Sequence, residues 1–147
     1  MSALPGKVYE VCSEADLVLH SGDLTETDVI RDLERFAPLK AVRGNMDSMD
    51  VRQILPERLT LELEGFRVCM AHGIGAPMGL DRRVLSWFRD QKPDIIVFGH
   101  SHVYQKGEKY GVMLLNPGSA AGRSGERTMT VMTLEKGRDP DFEKVLF

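Results

Sequence analysis

The sequence is poor in the features that mark secreted and membrane proteins. Its 147 residues include only two cysteines, Cys12 and Cys69, which lie far apart and form no CxxC pair. Neither a disulfide framework nor a structural zinc knuckle is therefore predicted. The longest apolar runs, such as 95–98, have the length of a strand and cannot span a bilayer. No N-terminal signal sequence is visible, so we expect a reduced, cytoplasmic protein with no membrane partner.

The charge pattern also lacks a basic stripe interleaved with aromatic residues. The 19 basic and 22 acidic residues are interspersed and leave a formal net charge of −3. A nucleic-acid-binding surface is therefore not indicated. A hydrophobic content of 42% is enough for an ordinary core, and the length suits one domain over residues 1–147.

The sequence does contain four short motifs, each of which follows an apolar run rich in strand-forming residues. They are Ser21-Gly22-Asp23, Arg43-Gly44-Asn45-Met46-Asp47, Ala71-His72-Gly73 and Phe98-Gly99-His100-Ser101-His102. Each motif offers an oxygen or imidazole ligand, and three of the four histidines of the chain lie in them. Ligands of open α/β sheets gather beyond the carboxyl ends of the strands. The motifs therefore predict a metal site at one edge of a sheet.

The donor set suits divalent ions of the first transition row. Asp23 offers a carboxylate that can bridge two cations, Asn45 offers a neutral carbonyl oxygen, and His72, His100 and His102 offer imidazole nitrogens. Mixed oxygen and nitrogen shells are typical of Mn, Fe, Co, Ni and Zn. Two such ions about 3.5–4 Å apart can activate a water and hold both ends of a phosphoryl displacement.

Each motif taken alone has a simpler interpretation. Gly-Asp and Gly-Asn pairs commonly mark turns, and a single histidine such as His72 is more often hydrogen-bonded than metal-bound. His100 and His102 are a stronger signal, because alternate residues of an extended backbone face the same side. His20 is expected to lie in the core or beside the site, and 116–119 is expected to form a turn. The joint occurrence of the motifs at four strand ends favours the metal site.

The remaining pattern predicts strands that alternate with helices at first and hairpins later. Helices are expected over 7–15, after Thr25, and around 80–88, and strands over 17–20, 39–42, 59–63, 66–71, 95–98, 112–115, 128–134 and 142–147. The apolar stripe of Val29, Ile30, Leu33 and Phe36 is expected in the core, and 47–58 is expected to be an exposed loop. This order fits two mixed sheets flanked by helices.

Together the motifs resemble those of the calcineurin-like metallophosphoesterases, and most closely the small bacterial and archaeal phosphodiesterase group that also includes the retromer subunit Vps29. The resemblance rests on 17–23, 42–47, His72-Gly73, 98–102 and 116–119, in that order. It implies a four-layer α/β/β/α fold and a two-metal phosphodiesterase acting on a small phosphorylated substrate. It also implies that Asp23 bridges the metals, that Asn45, His72 and His100 complete one shell, and that His102 belongs to the other. Manganese is the expected metal, with Fe, Ni, Zn and Co as alternatives.

The chain departs from this family at its start. Members normally begin with a central apolar strand that ends in Asp-x-His, and no such motif precedes Asp23. The resemblance therefore predicts two ions in a full site but one complete and one partial shell here. It also predicts open sheet edges that would favour a homo-oligomer. Either the native start lies further upstream, which we favour, or the chain is a shortened form stabilised by self-association.

The proton donor of the predicted reaction is not fixed by the motifs. Larger members of the superfamily carry a histidine where this chain has Met46. Asp47 and a metal-bound water are the two candidates, while His100 is expected to position the metal for catalysis. A binding scaffold of the same fold, as in the retromer subunit, is the alternative to an enzyme.

Overall fold

The structure is a computed structural model that describes residues 6–22, 27–44, 47–120, 122 and 125–147. Its helices are α1 (Gly6–Cys12), α2 (Thr27–Glu34), α3 (Met49–Ile54) and α4 (Leu80–Trp87), and a 3-10 turn at Arg89–Gln91 follows α4. Its strands are β1 (Val18–His20), β2 (Leu39–Ala41), β3 (Arg58–Leu63), β4 (Phe66–Ala71), β5 (Ile95–Val97), β6 (Gln105–Lys109), β7 (Val112–Asn116), β8 (Thr128–Thr133) and β9 (Asp141–Leu146).

The described helices are short. The longest, α2 and α4, have 8 residues each, whereas about 20 apolar residues are needed to cross a bilayer. Within the described ranges, no helix has the length and apolarity of a membrane span.

The largest sheet is mixed, with a parallel centre and antiparallel edges. Its strand order is β3-β4-β5-β7-β6, in which β4, β5 and β7 run parallel while β3 and β6 pair antiparallel at the two edges. Beside it, β1 pairs parallel with β2 and β8 pairs antiparallel with β9. This arrangement confirms the predicted mixed α/β class.

The edge hairpin β3–β4 follows directly from its sequence. The side chains of β3 alternate between exposed and half-buried along the strand, as the Leu59-Thr60-Leu61-Glu62-Leu63 pattern predicts. Glu64 and Gly65 connect the strands with φ values of 49° and 84°. Two consecutive left-handed residues match the right-handed twist of a hairpin, so the turn fixes the register of the pair.

One face of the central sheet packs against α4. Cys69 and Ala71 of β4 point to this side, where they join Leu80 and Val84 of the helix, and Phe88 directly after it, in one buried cluster. Because successive residues of a strand face opposite sides, the neighbours of Cys69 and Ala71 must fill a second cluster. Helix α4 is therefore packed on the sheet whose strands are followed by the predicted ligands.

The other face of the sheet packs against the two small strand pairs. Val68 and Met70 of β4 share a cluster with Leu19 of β1 and Met132 of β8. On the far side of these pairs, Val18 and Met129 join a cluster built on α1 and α2. The layers therefore run from α4 through the two sheet layers to α1 and α2, as the four-layer fold requires. Within the described residues no ladder joins β1 to β8.

The sequence interpretation of the helices, strands and core was wrong at three points. The segment 47–58 is not an exposed loop throughout, because Ser48 caps α3 and Val51 of that helix is fully buried. Phe36 is not in the core, because its side chain is 42% exposed and packs on Tyr9. The strand β6 was missed, because its residues are polar and mostly exposed and therefore lack an apolar signal.

Candidate metal centre

The candidate site lies where the parallel strands β4 and β5 end. Met70 is in register with Val97, so the chain positions that follow them, including His72 and His100, emerge at the same edge of the sheet. The backbone N–H of Gly99 donates to the carbonyl oxygen of His72 at 3.0 Å. The two imidazole rings meet edge to face, with centroids 5.2 Å apart and planes at 83°. The structure therefore brings these two predicted ligands together.

Backbone carbonyls hold the outer nitrogen of each ring. His72 Nδ1 lies 2.9 Å from the carbonyl oxygen of Ser21, and His100 Nε2 lies 2.8 Å from the carbonyl oxygen of Gly75. A carbonyl oxygen can only accept, so these two nitrogens carry the ring hydrogens. In neutral rings, the other two nitrogens are then acceptors with lone pairs.

The two inner nitrogens converge. His72 Nε2 and His100 Nδ1 are 3.4 Å apart. Two imidazole nitrogens that bind the same ion at about 2.0–2.1 Å lie roughly 2.8–3.4 Å apart for coordination angles of about 90–109°. Metal-bound histidines also typically donate their second ring N–H to a carbonyl or carboxylate. Both observations fit a divalent first-row metal ion.

Two glycines make room for this arrangement. A Cβ atom on Gly22 would lie 2.5 Å from His72 Nδ1, and one on Gly99 would lie 2.8 Å from the Ser21 Oγ. Gly22 also has a φ of 114°, a conformation that side chains rarely adopt. The Gly22-Asp23 pair indicated a turn in the sequence. The structure shows that Gly22 and Gly99 also allow the backbone to approach the His72 ring closely.

The segment that carries His100 and His102 is not extended, contrary to the sequence interpretation. Both histidines have left-handed backbones, with φ values of 68° and 63°. The intervening Ser101 donates its backbone N–H to the carbonyl oxygen of Gly99 at 2.8 Å, and its Oγ accepts from Val103 N at 3.3 Å. A tight double turn therefore replaces the expected alternation along a strand.

Asn116 supports this double turn through its side-chain amide. The sequence analysis had interpreted Asn116 only as part of the turn at 116–119. It is fully buried, and its Nδ2 donates to the carbonyl oxygen of Gly99 at 2.9 Å and to Ser101 Oγ at 3.1 Å. Its Oδ1 accepts from Gly118 N at 3.0 Å. The only sequence signal was an asparagine at the end of the buried strand β7. The structure makes it a residue that positions the ligand segment.

The remaining predicted site residues are placed less directly. Asp23 and Asn45 lie outside the described residues. Asp47 is 7% exposed. Its Oδ2 accepts a hydrogen bond from the backbone N–H of Gly44 at 2.5 Å, which links positions 44 and 47. His102 is half-buried two positions beyond His100. In the part of the chain that the structure describes, no three His, Cys, Asp or Glu side chains form a group that could hold a metal ion.

His20 was predicted to lie either in the core or beside the site, and the structure places it beside the site. Its Nδ1 accepts from Gly22 N at 3.1 Å. This contact fixes the turn that brings Ser21 to His72, so His20 acts on the site through the backbone.

Comparisons with known proteins identify the family of this chain. The sequence profile of the calcineurin-like phosphoesterase superfamily domain matches residues 1–138. A probable metallophosphoesterase of Methanothermobacter thermautotrophicus is 36% identical over 118 residues, which cover 80% of this chain and 68% of that protein. The match spans 59% of a second curated relative, so this chain corresponds to about two thirds of the relatives it resembles.

Solved structures share the fold over most of their length. Wild-type Vps29 of Entamoeba histolytica complexed with Zn²⁺ is 26% identical, with a TM-score of 0.72 over 99% of this chain and 91% of that one. A novel archaeal phosphodiesterase is 21% identical, with a TM-score of 0.78 over 96% of this chain and 90% of that one. The fold is thus found both in a protein named for hydrolysis and in one named for protein sorting.

Proposed function

Since the chain belongs to the calcineurin-like phosphoesterase superfamily, we propose that it is a metal-dependent phosphoesterase that hydrolyses phosphodiesters. The observation that carries this proposal is the convergence of His72 Nε2 and His100 Nδ1 at 3.4 Å. With the ring hydrogens on the outer nitrogens, the lone pairs of both inner nitrogens face the same point, where one divalent cation would bind both. A divalent cation is also what the superfamily requires.

The proposed ligand set combines the described histidines with the other predicted residues. His72, His100, Asn45 and Asp23 would hold one ion, and Asp23 with His102 would contribute to a second. Manganese is the proposed metal, and Fe, Ni, Zn and Co have the same donor preference. When bound, such ions supply a nucleophilic water at neutral pH and neutralise charge on the phosphoryl group.

The chain's own residues orient the site and move the proton. Ser21 and Gly75 fix both rings through their carbonyl oxygens, so little reorganisation is needed when substrate arrives. Asp47 and a metal-bound water are the two candidate proton donors to the leaving oxygen, and the role of Asp47 can be tested directly. If Asp47 is the donor, an Asp47→Asn variant should lose turnover while it still binds Mn²⁺. Equal turnover in that variant would assign the proton to a water instead.

The test is hydrolysis of bis-p-nitrophenyl phosphate by this 147-residue chain, with and without added Mn²⁺, together with metal content per chain. His100→Ala removes a proposed ligand, and its activity should fall by more than the roughly 10–100-fold expected for an outer-sphere partner. Tyr110→Ala changes an exposed side chain on the β6–β7 turn and should leave the rate unchanged. If His100→Ala matched the parent rate, the mechanism would be wrong.

A docking scaffold is the second candidate, favoured by the likeness to Vps29. It predicts that the metal binds but that no phosphomonoester or phosphodiester is turned over. Stoichiometric Mn²⁺ with no hydrolysis across a panel of aryl esters and nucleotides would favour the scaffold. Clear Mn²⁺-dependent turnover would favour the enzyme.

A further inference from the structure

The short connection between His72 and α4 provides one of the two carbonyls that hold the histidine rings. This connection, the 73–79 loop, contains Gly75, whose carbonyl oxygen accepts from His100 Nε2 at 2.8 Å. The position of this oxygen therefore fixes the orientation of the His100 ring. An exposed loop without regular hydrogen bonds would not hold a carbonyl in place by itself.

One side chain holds the loop by its backbone. Arg83 donates from Nε to the carbonyl oxygen of Ile74 at 3.2 Å and from Nη1 to that of Met78 at 3.1 Å. Its Nη2 donates to the carbonyl oxygen of Ala76. The contacted carbonyls lie on both sides of Gly75. A guanidinium is suited to this task because it presents five N–H donors in one rigid plane.

The base of this clamp is rigid. Arg83 lies in the first turn of α4, next to Val84, which is fully buried in the cluster between α4 and the sheet. The loop also starts in close contact with the helix, since a Cβ atom on Gly73 would lie 2.9 Å from Leu80 Cδ1. The guanidinium is therefore attached to a fixed element and can transmit that position to the loop.

We propose that Arg83 is a positioning residue of the metal centre. It fixes the 73–79 loop so that Gly75 accepts from His100 Nε2, which keeps the ring hydrogen on Nε2 and directs Nδ1 towards the metal. This role of Arg83 rests on the proposed function in one respect, because it takes the ion bound at this site to be the ion used for hydrolysis. Arg83 would act through the backbone of the loop and not as a ligand.

Two readouts test this role in the intact chain. The first is the dissociation constant for Mn²⁺ alone, measured by calorimetry. The second is the tautomer of His100 in the metal-free protein, read from long-range ¹H–¹⁵N spectra of its ring. The variants are Arg83→Ala and Arg83→Lys, and Arg82→Ala is the matched control. Arg82 is the adjacent, exposed arginine of the same helix, and it lines a surface cavity with Lys109 and Tyr110.

Arg83→Ala should bind Mn²⁺ about tenfold more weakly, as expected for loss of support to a ligand. Its His100 ring should show both tautomers, whereas the parent shows the Nε2–H form. Arg83→Lys should give an intermediate result, because an ammonium cannot reach three carbonyls in one plane. Arg82→Ala should match the parent in both measurements.

The proposal would be wrong if Arg83→Ala showed the same His100 tautomer as the parent and, where the parent binds Mn²⁺, the same dissociation constant for Mn²⁺. A parent that binds no Mn²⁺ would overturn the proposed function instead, and the tautomer measurement would still decide the role of Arg83. Thermal unfolding of the metal-free variants separates a local effect from loss of the fold. If Arg83→Ala fails to fold, the same two readouts on Arg83→Lys decide.

Discussion

The side-chain amide of Asn116 joins the end of β7 to the end of β5, because its Nδ2 donates to the carbonyl oxygen of Gly99 at 2.9 Å. The amide is fully buried and also donates to Ser101 Oγ. Gly99 immediately precedes His100, so this hydrogen bond sets where the proposed ligand leaves the sheet. Its removal should therefore affect both stability and metal binding.

Asn116→Ala should lower the free energy of unfolding by about 1–3 kcal/mol, the cost of leaving a buried carbonyl without its donor. Urea denaturation measures this change, and Mn²⁺ calorimetry should show weaker binding in the same variant. Gln53→Ala removes an exposed amide from α3 and should change neither quantity. An Asn116→Ala variant as stable as the parent would contradict this role.

Gly22→Ala should displace the His72 ring. The new methyl group would lie 2.5 Å from His72 Nδ1, at a backbone φ of 114°. We expect at least about tenfold weaker Mn²⁺ binding, because the ring must leave its hydrogen bond to Ser21. Gly107→Ala is the control, since a Cβ atom there meets nothing within 4 Å. Equal Mn²⁺ affinity in Gly22→Ala and Gly107→Ala would show that the close approach is unimportant.

Asp81 should contribute to stability in a pH-dependent way. Burial alone would raise the pKa of its carboxyl, but contacts from Lys109, the Arg82 backbone N–H and Gln105 outweigh burial and lower the pKa below its ordinary 3.8. The Lys109 ammonium lies 3.1 Å from Asp81 Oδ2. A carboxyl with a lowered folded pKa stabilises the fold above its ordinary pKa. That contribution is lost as the pH falls through the folded pKa.

Asp81→Asn should therefore be less stable than the parent at pH 7, and the difference should shrink below about pH 4. Chemical denaturation at a series of pH values measures this difference. Asp90→Asn changes an exposed carboxylate of the turn after α4 and should give no such trend. A difference for Asp81→Asn that stayed constant from pH 7 to pH 3 would refute the assignment.

The two cysteines should be unreactive in the folded protein. Burial raises the pKa of both the Cys12 and the Cys69 thiols above their ordinary 9.0, and the thiolate is the form that is alkylated. Iodoacetamide at pH 8 should label the native chain at least roughly tenfold more slowly than the urea-unfolded chain. Equal rates would mean that the thiols are accessible in the native state.

The sequence predicted the site best where local patterns decide the outcome. His72 and His100 each follow a buried strand, and parallel pairing brings the ends of β4 and β5 together. The hairpin at Glu64-Gly65 was equally readable, because alternation and turn chemistry are both local. Asp23 and Asn45 were predicted with the same reasoning and remain predictions.

The parts that could not be predicted depend on contacts between distant segments. Asn116 reaches Gly99 across 17 positions, and Ser21 meets His72 across 51. No local sequence pattern predicts a contact between residues that are this far apart along the chain. The helix α3 was missed for a different reason: it is short, and Val51 is its only fully buried residue. Short helices with one apolar contact carry too little periodicity to be recognised.

The left-handed backbones of His100 and His102 have a consequence for engineering. Each costs about 1–2 kcal/mol relative to a right-handed residue, a cost that glycine would avoid. Glycine would remove this backbone cost, but at position 100 it would also remove the imidazole that donates to the carbonyl oxygen of Gly75. Substitutions intended to raise the thermal stability of this protein should leave these two positions unchanged and be made in the surrounding scaffold.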